Sequence, residues 1–193
     1  MGTGTHRSTR QDWLDEGLRL LREHGDQALT IEALCARMGR TKGSFYHHFS
    51  DREDFVGRLL EHWERTFTLV IIDELAPVVG PVARLRALGE RTSREVDLRL
   101  ERTIRIWGDR EPAARAVVER VDRARENYLE ELFRSAFGDS RRARLAARAH
   151  MAVLVGTEML YQDLSRAELR ELNAFVETLG FGTTQQPDTP SET

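Results

Sequence analysis

The sequence predicts an all-α protein: an N-terminal three-helix unit of the helix-turn-helix kind, then a larger C-terminal helical bundle, about nine helices in total. Three observations predict it. Apolar residues recur at three- and four-residue spacing along most of the chain, as in Trp13, Leu14, Gly17, Leu18 and Leu21. No segment alternates apolar and polar residues over a useful strand length. The 14 glycines and 5 prolines fall largely between the periodic segments. With 193 residues, 40% of them hydrophobic, the chain is long enough to bury a core without disulfide or metal staples.

Each element has its own start and stop. Ser8 and Gln11 form a capping pair ahead of the first helix, and Gly25 lies just past its last turn. Thr30 caps a second, short helix whose buried side is Ile31, Leu34, Cys35 and Met38, and Gly39 ends it. Thr41 caps a third that runs to about Phe49. Ser50 or Asp51 opens a long fourth helix striped by Phe55, Leu59, Leu60, Trp63, Phe67, Val70 and Ile71, stopping before Pro77. Pro81 sits where prolines favour a helix start, and Leu85, Leu88, Val96, Leu98, Leu100, Ile104 and Trp107 follow. After the loop Gly108-Asp109-Arg110-Glu111, Pro112 opens a helix to about Phe137, closed by Gly138. Another runs from near Ser140 to Gln162. Ser165 and Glu168 form a capping box for the last, and from Gly182 the polar sequence reads as a frayed tail. The predicted organisation is a helix-turn-helix domain over 1–52, an effector-binding and dimerisation domain over 53–181, and a disordered tail over 182–193.

Charge and composition exclude several classes. The net charge is −3, with 32 acidic residues against 29 basic ones, only one of which is a lysine, Lys42. That balance argues against a protein that coats nucleic acid over its whole surface. No apolar run reaches the roughly 18–20 residues of a membrane span, and the first residues show no signal-peptide pattern, so a cytoplasmic location and no membrane partner are expected. The single Cys35 supplies neither a disulfide nor a cysteine zinc site. Neither a metal nor a cofactor is expected. The acids lie along helix surfaces with arginines three or four residues on, the pattern of solvated ion pairs. No catalytic constellation stands out, so an enzyme is not expected.

The stretch Thr41–Phe49, TKGSFYHHF, is the most informative. A second helix in this layout enters the major groove, its first turn reaching base edges. Lys42 and Ser44 project from that turn, and Gly43 leaves room for close backbone approach. Phe45 and Phe49 face inward, whereas Tyr46, His47 and His48 present polar tips to phosphates or base edges. Adjacent histidines point different ways, so a shared metal is not expected. Spacing alone leaves both DNA binding and an ordinary surface helix open.

Residues 9–60 resemble the DNA-binding domain of the TetR family of transcriptional regulators. The likeness is carried by the first helix with Gly25, the ALTIEALCARMG second helix, TKGSFYHHF, and the DREDF start of the fourth. It covers about a quarter of the chain strongly; the later helices agree only in number, order and approximate length. The resemblance implies a two-domain homodimer whose larger domain binds a small molecule and thereby changes the separation of two DNA-reading heads on a palindromic operator in double-stranded DNA. It implies phosphate contacts from Thr30, Thr41, Tyr46, His48 and Arg52, base-edge proximity for Lys42, Gly43 and Ser44, and a groove-wall position for His47. Glu32 has two readings, an acceptor for a cytosine amino group or a complement to the helix dipole; the second is favoured. Arg40 stands where the family has a small apolar residue. It is expected to turn outward to the DNA backbone, because a buried unpaired arginine is costly.

The larger unit is expected to enclose a cavity lined by Phe67, Thr92, Trp107, Asn127, Tyr128 and Met151, for a small-molecule effector of unknown identity. Arg102, Arg105 and Arg110 flank Trp107 and would suit an anion, though the arginine-rich composition produces such clusters by chance. The segment 143–156 is rich in small residues, and with the last helix it is expected to pair across a two-fold axis. Ala147, Val155, Leu172, Phe175, Val176 and Leu179 are the candidate interface residues. The expected function is a ligand-responsive DNA-binding regulator, most simply a repressor. The alternatives are a protein-interaction module on the same fold or, least favoured, an enzyme.

Overall fold

The computed structural model describes residues 8–181. Residues 1–7 and the predicted tail at 182–193 lie outside the described residues. Nine helices make up the described chain, without strands: α1 Arg10–His24, α2 Ile31–Met38, α3 Lys42–Tyr46, α4 over 52–75, α5 Pro81–Glu95, α6 Leu98–Gly108, α7 Pro112–Phe137, α8 Ser140–Leu160 and α9 Arg166–Phe181. Among them none is long and apolar enough to cross a membrane.

The caps follow the sequence except at α1. There the reciprocal pair is Thr9 and Asp12, one residue later than Ser8 and Gln11. Ser8 is instead drawn inward, its carbonyl accepting from His48 Nε2 at 2.9 Å. Thr30, Thr41 and Asp51 each cap their helix through the side chain, and Gly39 closes α2 in the left-handed conformation. Helix α3 ends at Tyr46 and not at Phe49, because Phe49 must drop into the core against Phe45 and Phe55. Between α5 and α6 the chain breaks at Val96, and Asp97 caps the new helix through Leu100 N.

Helix α4 departs most from expectation. Its apolar stripe predicts an uninterrupted helix, yet Arg65–Leu69 form a π turn between the α-helical segments Arg52–Glu64 and Val70–Leu75. The extra residue shifts the face of the second half and buries Thr68.

Two apolar cores hold the molecule. The first gathers Trp13, Leu21, Leu34, Phe45, Phe49, Phe55 and Leu59 and runs on through Trp63 to Ile104, Trp107 and Val121. The boundary predicted at residue 52 thus falls at the start of a helix whose first half belongs to this core. Helix α1 meets α4 at Gly17, where an added Cβ would lie 2.7 Å from Phe55 Cζ and 2.9 Å from Leu59 Cδ1. Gly17→Ala is therefore expected to lower stability by about 1–3 kcal/mol through overpacking, measured by urea unfolding; an unchanged midpoint would mean that the crossing is looser than described. The second core packs Leu85, Leu132, Phe133, Ala143, Ala147 and Met151 between α5, α7 and α8.

Between the cores lies a network of buried charge. Glu101 accepts from Trp63 Nε1 at 2.8 Å and from Arg125 Nη1 at 2.9 Å. Arg125 Nε donates to Thr68 Oγ1 at 3.0 Å and its Nη2 to the Phe67 carbonyl at 3.3 Å, so it also holds the π turn. Arg105 grips Asp122 with two hydrogen bonds of 2.7 and 2.8 Å and donates to Glu158 at 2.5 Å. Glu158 is fully buried; loss of hydration and the neighbouring Glu101 push its carboxyl up to about 7. The expectation that these acids form solvated ion pairs along helix surfaces is thus corrected for Glu101 and Glu158. Their partners come from other helices, and interhelical pairing decides burial in a way that i, i+4 spacing does not reveal.

Candidate nucleic-acid interface and internal cavity

The head is assembled by its short helices. Arg37 of α2 donates to Glu16 and, at 2.7 Å, to Glu23, which fastens α2 across α1. Phe45 is wholly buried against Trp13, Phe49 and Phe55, which leaves the other side of α3 to solvent. On that side lie Lys42, whose side chain is 58% exposed, Gly43, Tyr46 and His47. Ser44 is half-buried. A Cβ on Gly43 would make only an ordinary contact with Thr41 Oγ1 at 3.7 Å. The fold itself does not need glycine there.

Lys42 Nζ pairs with the Glu32 carboxylate across the turn between α2 and α3. The hydrogen bond to Lys42 lowers the Glu32 pKa and raises that of Lys42. Glu32 therefore does something neither sequence reading included: it holds the lysine. Glu32→Gln is expected to raise affinity for random-sequence duplex DNA about two- to fivefold, since it removes an acid from a basic surface and loosens an exposed pair. Fluorescence anisotropy across a salt series checks this, and equal affinities would place Glu32 away from DNA.

The remaining candidates are placed as follows. Thr30 and Thr41 accept from backbone N–H groups of their own first turns, at 3.1 and 3.3 Å. Arg52 Nε donates to the Leu29 carbonyl at 2.8 Å, which brings the start of α4 to the start of α2. Two further candidates are engaged within the chain. His48 turns its Nε2 to the Ser8 carbonyl and anchors the entering chain. Arg40 is half-buried, with its backbone N–H donating to the Cys35 carbonyl at 2.9 Å beside the left-handed Gly39.

The larger unit holds two adjoining chambers of about 70 and 100 Å³, both partly open to solvent. Phe67, Thr92, Tyr128 and Met151 line the first, together with Thr68 of the π turn and Arg125. His150, Asn173 and Glu177 contribute to the second. Trp107 and Asn127 are corrections. Trp107 belongs to the first core. Asn127 is exposed, because one residue along α7 from Tyr128 is about 100° around the helix. The arginines flanking Trp107 are also engaged elsewhere: Arg105 as described, and Arg110 with Asp26 at 2.6 Å.

The outer helices sort their residues differently from expectation. Ala147 is 0% exposed and Val176 is buried, so both face their own chain's core. Ala143, Ala147 and Met151, four residues apart, form the stripe along which α8 packs in the second core. Val155 and Leu172 are half-buried, Phe175 is 61% exposed, and the Leu179 side chain lies outside the described residues. The apolar surface left open on α8 and α9 is Leu145, Met159, Leu160 and Phe175.

Residues 14–59 match the family model described as bacterial regulatory proteins, tetR family. The HTH-type transcriptional repressor DhaR of Mycobacterium sp. (strain GP1) is 31% identical over 81 residues, which are 40% of this chain and 39% of DhaR. The match thus spans about two fifths of that relative's length. Among solved structures, the ketosteroid transcriptional regulator KstR2 of Mycobacterium tuberculosis aligns with a TM-score of 0.67 at 16% identity, covering 92% of this chain and 95% of that one. AibR, solved in complex with isovaleryl coenzyme A and operator DNA, aligns at 0.69 and 16% identity over 90% and 99%. Likeness at these identities shows a shared fold across both units.

Sequence reasoning missed Glu101, Arg125 and His150 as parts of the cavity and its support. The available signal was an acid and an arginine each placed on the apolar stripe of its own helix.

Proposed function

We propose that this chain is a ligand-responsive DNA-binding transcriptional repressor, active in the cytoplasm as a homodimer on a palindromic operator. The observation that carries the reading is the exposed turn Lys42-Gly43-Ser44 on a fully formed helix-turn-helix, where a glycine that the fold does not require leaves the backbone open to a groove. DhaR is named a repressor, and AibR was solved with both an acyl-coenzyme A and operator DNA. Helix α4 supplies the link. It begins beside the head, where Arg52 reaches the Leu29 carbonyl, and its π turn walls the cavity through Phe67 and Thr68. Filling the cavity displaces that turn and tilts α4. The ion pairs Arg22–Asp97 at 2.5 Å and Arg110–Asp26 at 2.6 Å carry motion of α6 and its following loop to the head as well.

In the dimer, Leu145, Met159, Leu160 and Phe175 meet their copies across a two-fold axis, with half-sites about 34–36 Å apart. A mobility shift of the purified chain on its own upstream region, run across a salt series, tests the reading together with sedimentation. The expected result is a dimer with sequence-preferring, salt-sensitive binding. A monomer, or binding indifferent to sequence, would reject it.

A further inference from the structure

The cavity has a chemical character of its own, and the following rests on reading it as the effector site. We propose that the molecule it takes is uncharged and largely apolar, with one hydrogen-bond acceptor directed at Tyr128 and one donor directed at His150, and that anionic ligands are selected against.

The two chambers share Leu88, Thr92, Leu129 and Leu154, so they adjoin along an apolar seam. An apolar cavity of about 150 Å³ holds a benzene-sized guest, so chambers of about 70 and 100 Å³ together suit a small molecule of comparable or slightly greater length. Apolar contact supplies the bulk of affinity in such a site, and a few polar groups fix orientation.

Charge comes next. Arg125 is the cation on the wall, and its guanidinium already donates to Glu101, Thr68 Oγ1 and the Phe67 carbonyl. Behind it, Arg105 is engaged by Asp122 and Glu158. Two guanidinium groups thus face three carboxyl groups, so neither Arg105 nor Arg125 is left free for a ligand carboxylate. In the second chamber Glu177 presents another acid, whose pKa burial raises. An anion entering either chamber gives up hydration and finds the wall cation, Arg125, already paired.

The polar atoms that remain define the complement. Tyr128 Oη and His150 Nε2 are buried with no hydrogen-bond partner among the described residues. Tyr128 lines the first chamber and His150 the second. His150 Nδ1 lies 3.0 Å from the Ala146 carbonyl, which only accepts, so the proton sits on Nδ1 and Nε2 offers a lone pair. Burial lowers the pKa of this ring and keeps it neutral. The phenol offers an O–H, the imidazole an acceptor. Asn173 Nδ2 and the Thr157 hydroxyl are occupied: the first donates to Ser93 Oγ at 2.9 Å, the second to the Val153 carbonyl at 2.8 Å.

Matched eight-carbon probes test the proposal on the full chain: 1-octanol, 2-octanone, octanoate and octylammonium, followed by isothermal titration calorimetry. The neutral pair is expected to bind at least about tenfold more tightly than either ion. Tyr128→Phe is expected to weaken 2-octanone about fivefold, and His150→Leu to weaken 1-octanol while sparing 2-octanone, with thermal melting confirming that both variants fold. Octanoate or octylammonium binding as well as the neutral probes would overturn the proposal, as would no binding of any probe up to its solubility. Operator release is read separately. Neutral probes that bind with these preferences and leave DNA binding unchanged support the chemistry and refute the effector reading. Octanoate that both binds best and releases DNA does the reverse.

Discussion

Lys42→Ala is expected to reduce operator affinity by about 100-fold or more while leaving the thermal midpoint unchanged. The side chain is exposed on the first turn of α3, and the carboxylate it pairs with, Glu32, is exposed too. An exposed pair of this kind contributes little to folding. Its removal acts twice on DNA binding. It deletes the cation proposed to reach base edges, and on the same reading it leaves Glu32 unneutralised near phosphates. A base contact discriminates by roughly a factor of ten to a hundred, and a dimer presents two copies. Lys42→Arg keeps the charge but replaces a compact ammonium with a broad planar fork. It should hold affinity for random DNA and still lose preference for the operator. Anisotropy titrations on operator and scrambled duplexes at one salt concentration separate the two. An unaltered operator affinity in Lys42→Ala would remove Lys42 from the interface.

The second large effect concerns stability. Glu101→Ala is expected to cost about 3–5 kcal/mol, the range for breaking a buried charge pair from one side. Glu101 is buried and accepts from Trp63 Nε1 and from Arg125. Its loss strands the indole N–H and leaves Arg125 with Glu158 at 3.7 Å as its remaining nearby carboxyl group. Replacing both members, Glu101→Leu with Arg125→Met, should recover most of the loss, because no charge is then buried without a partner. Urea unfolding monitored by tryptophan fluorescence measures all three proteins. A single-variant cost below about 1 kcal/mol would show that water reaches the pair, since solvated ion pairs contribute in that range.

The legible part of this molecule was local. Thr30, Thr41, Asp51, Ser165 and Pro81 mark helix starts through groups within three residues of themselves, and the structure keeps each of them. The same holds for the apolar stripes, which assign Phe45 and Phe49 to the core and leave Lys42 and Tyr46 outside. Four residues expected at the cavity, Phe67, Thr92, Tyr128 and Met151, do meet there. Asn127 and Ala147 fell on the wrong side for one reason: residue type and approximate position do not fix which way a helix is rotated against its neighbours.

What the sequence determined by itself is therefore the helical class, the order of the helices, their caps apart from that of α1, and the exposed turn with its single lysine. Each depends on spacing and side-chain chemistry within a few residues. Only the tertiary structure decided the π turn in α4, the Lys42–Glu32 pair, the engagement of His48 with Ser8, and the burial of Glu101 and Glu158 against Arg125 and Arg105. Those features join residues 10 to 57 positions apart, as in Lys42–Glu32 and Arg125–Thr68. Contacts across such separations exist only once the helices have packed, because packing sets both their rotation and the loss of hydration that makes a buried charge need its partner.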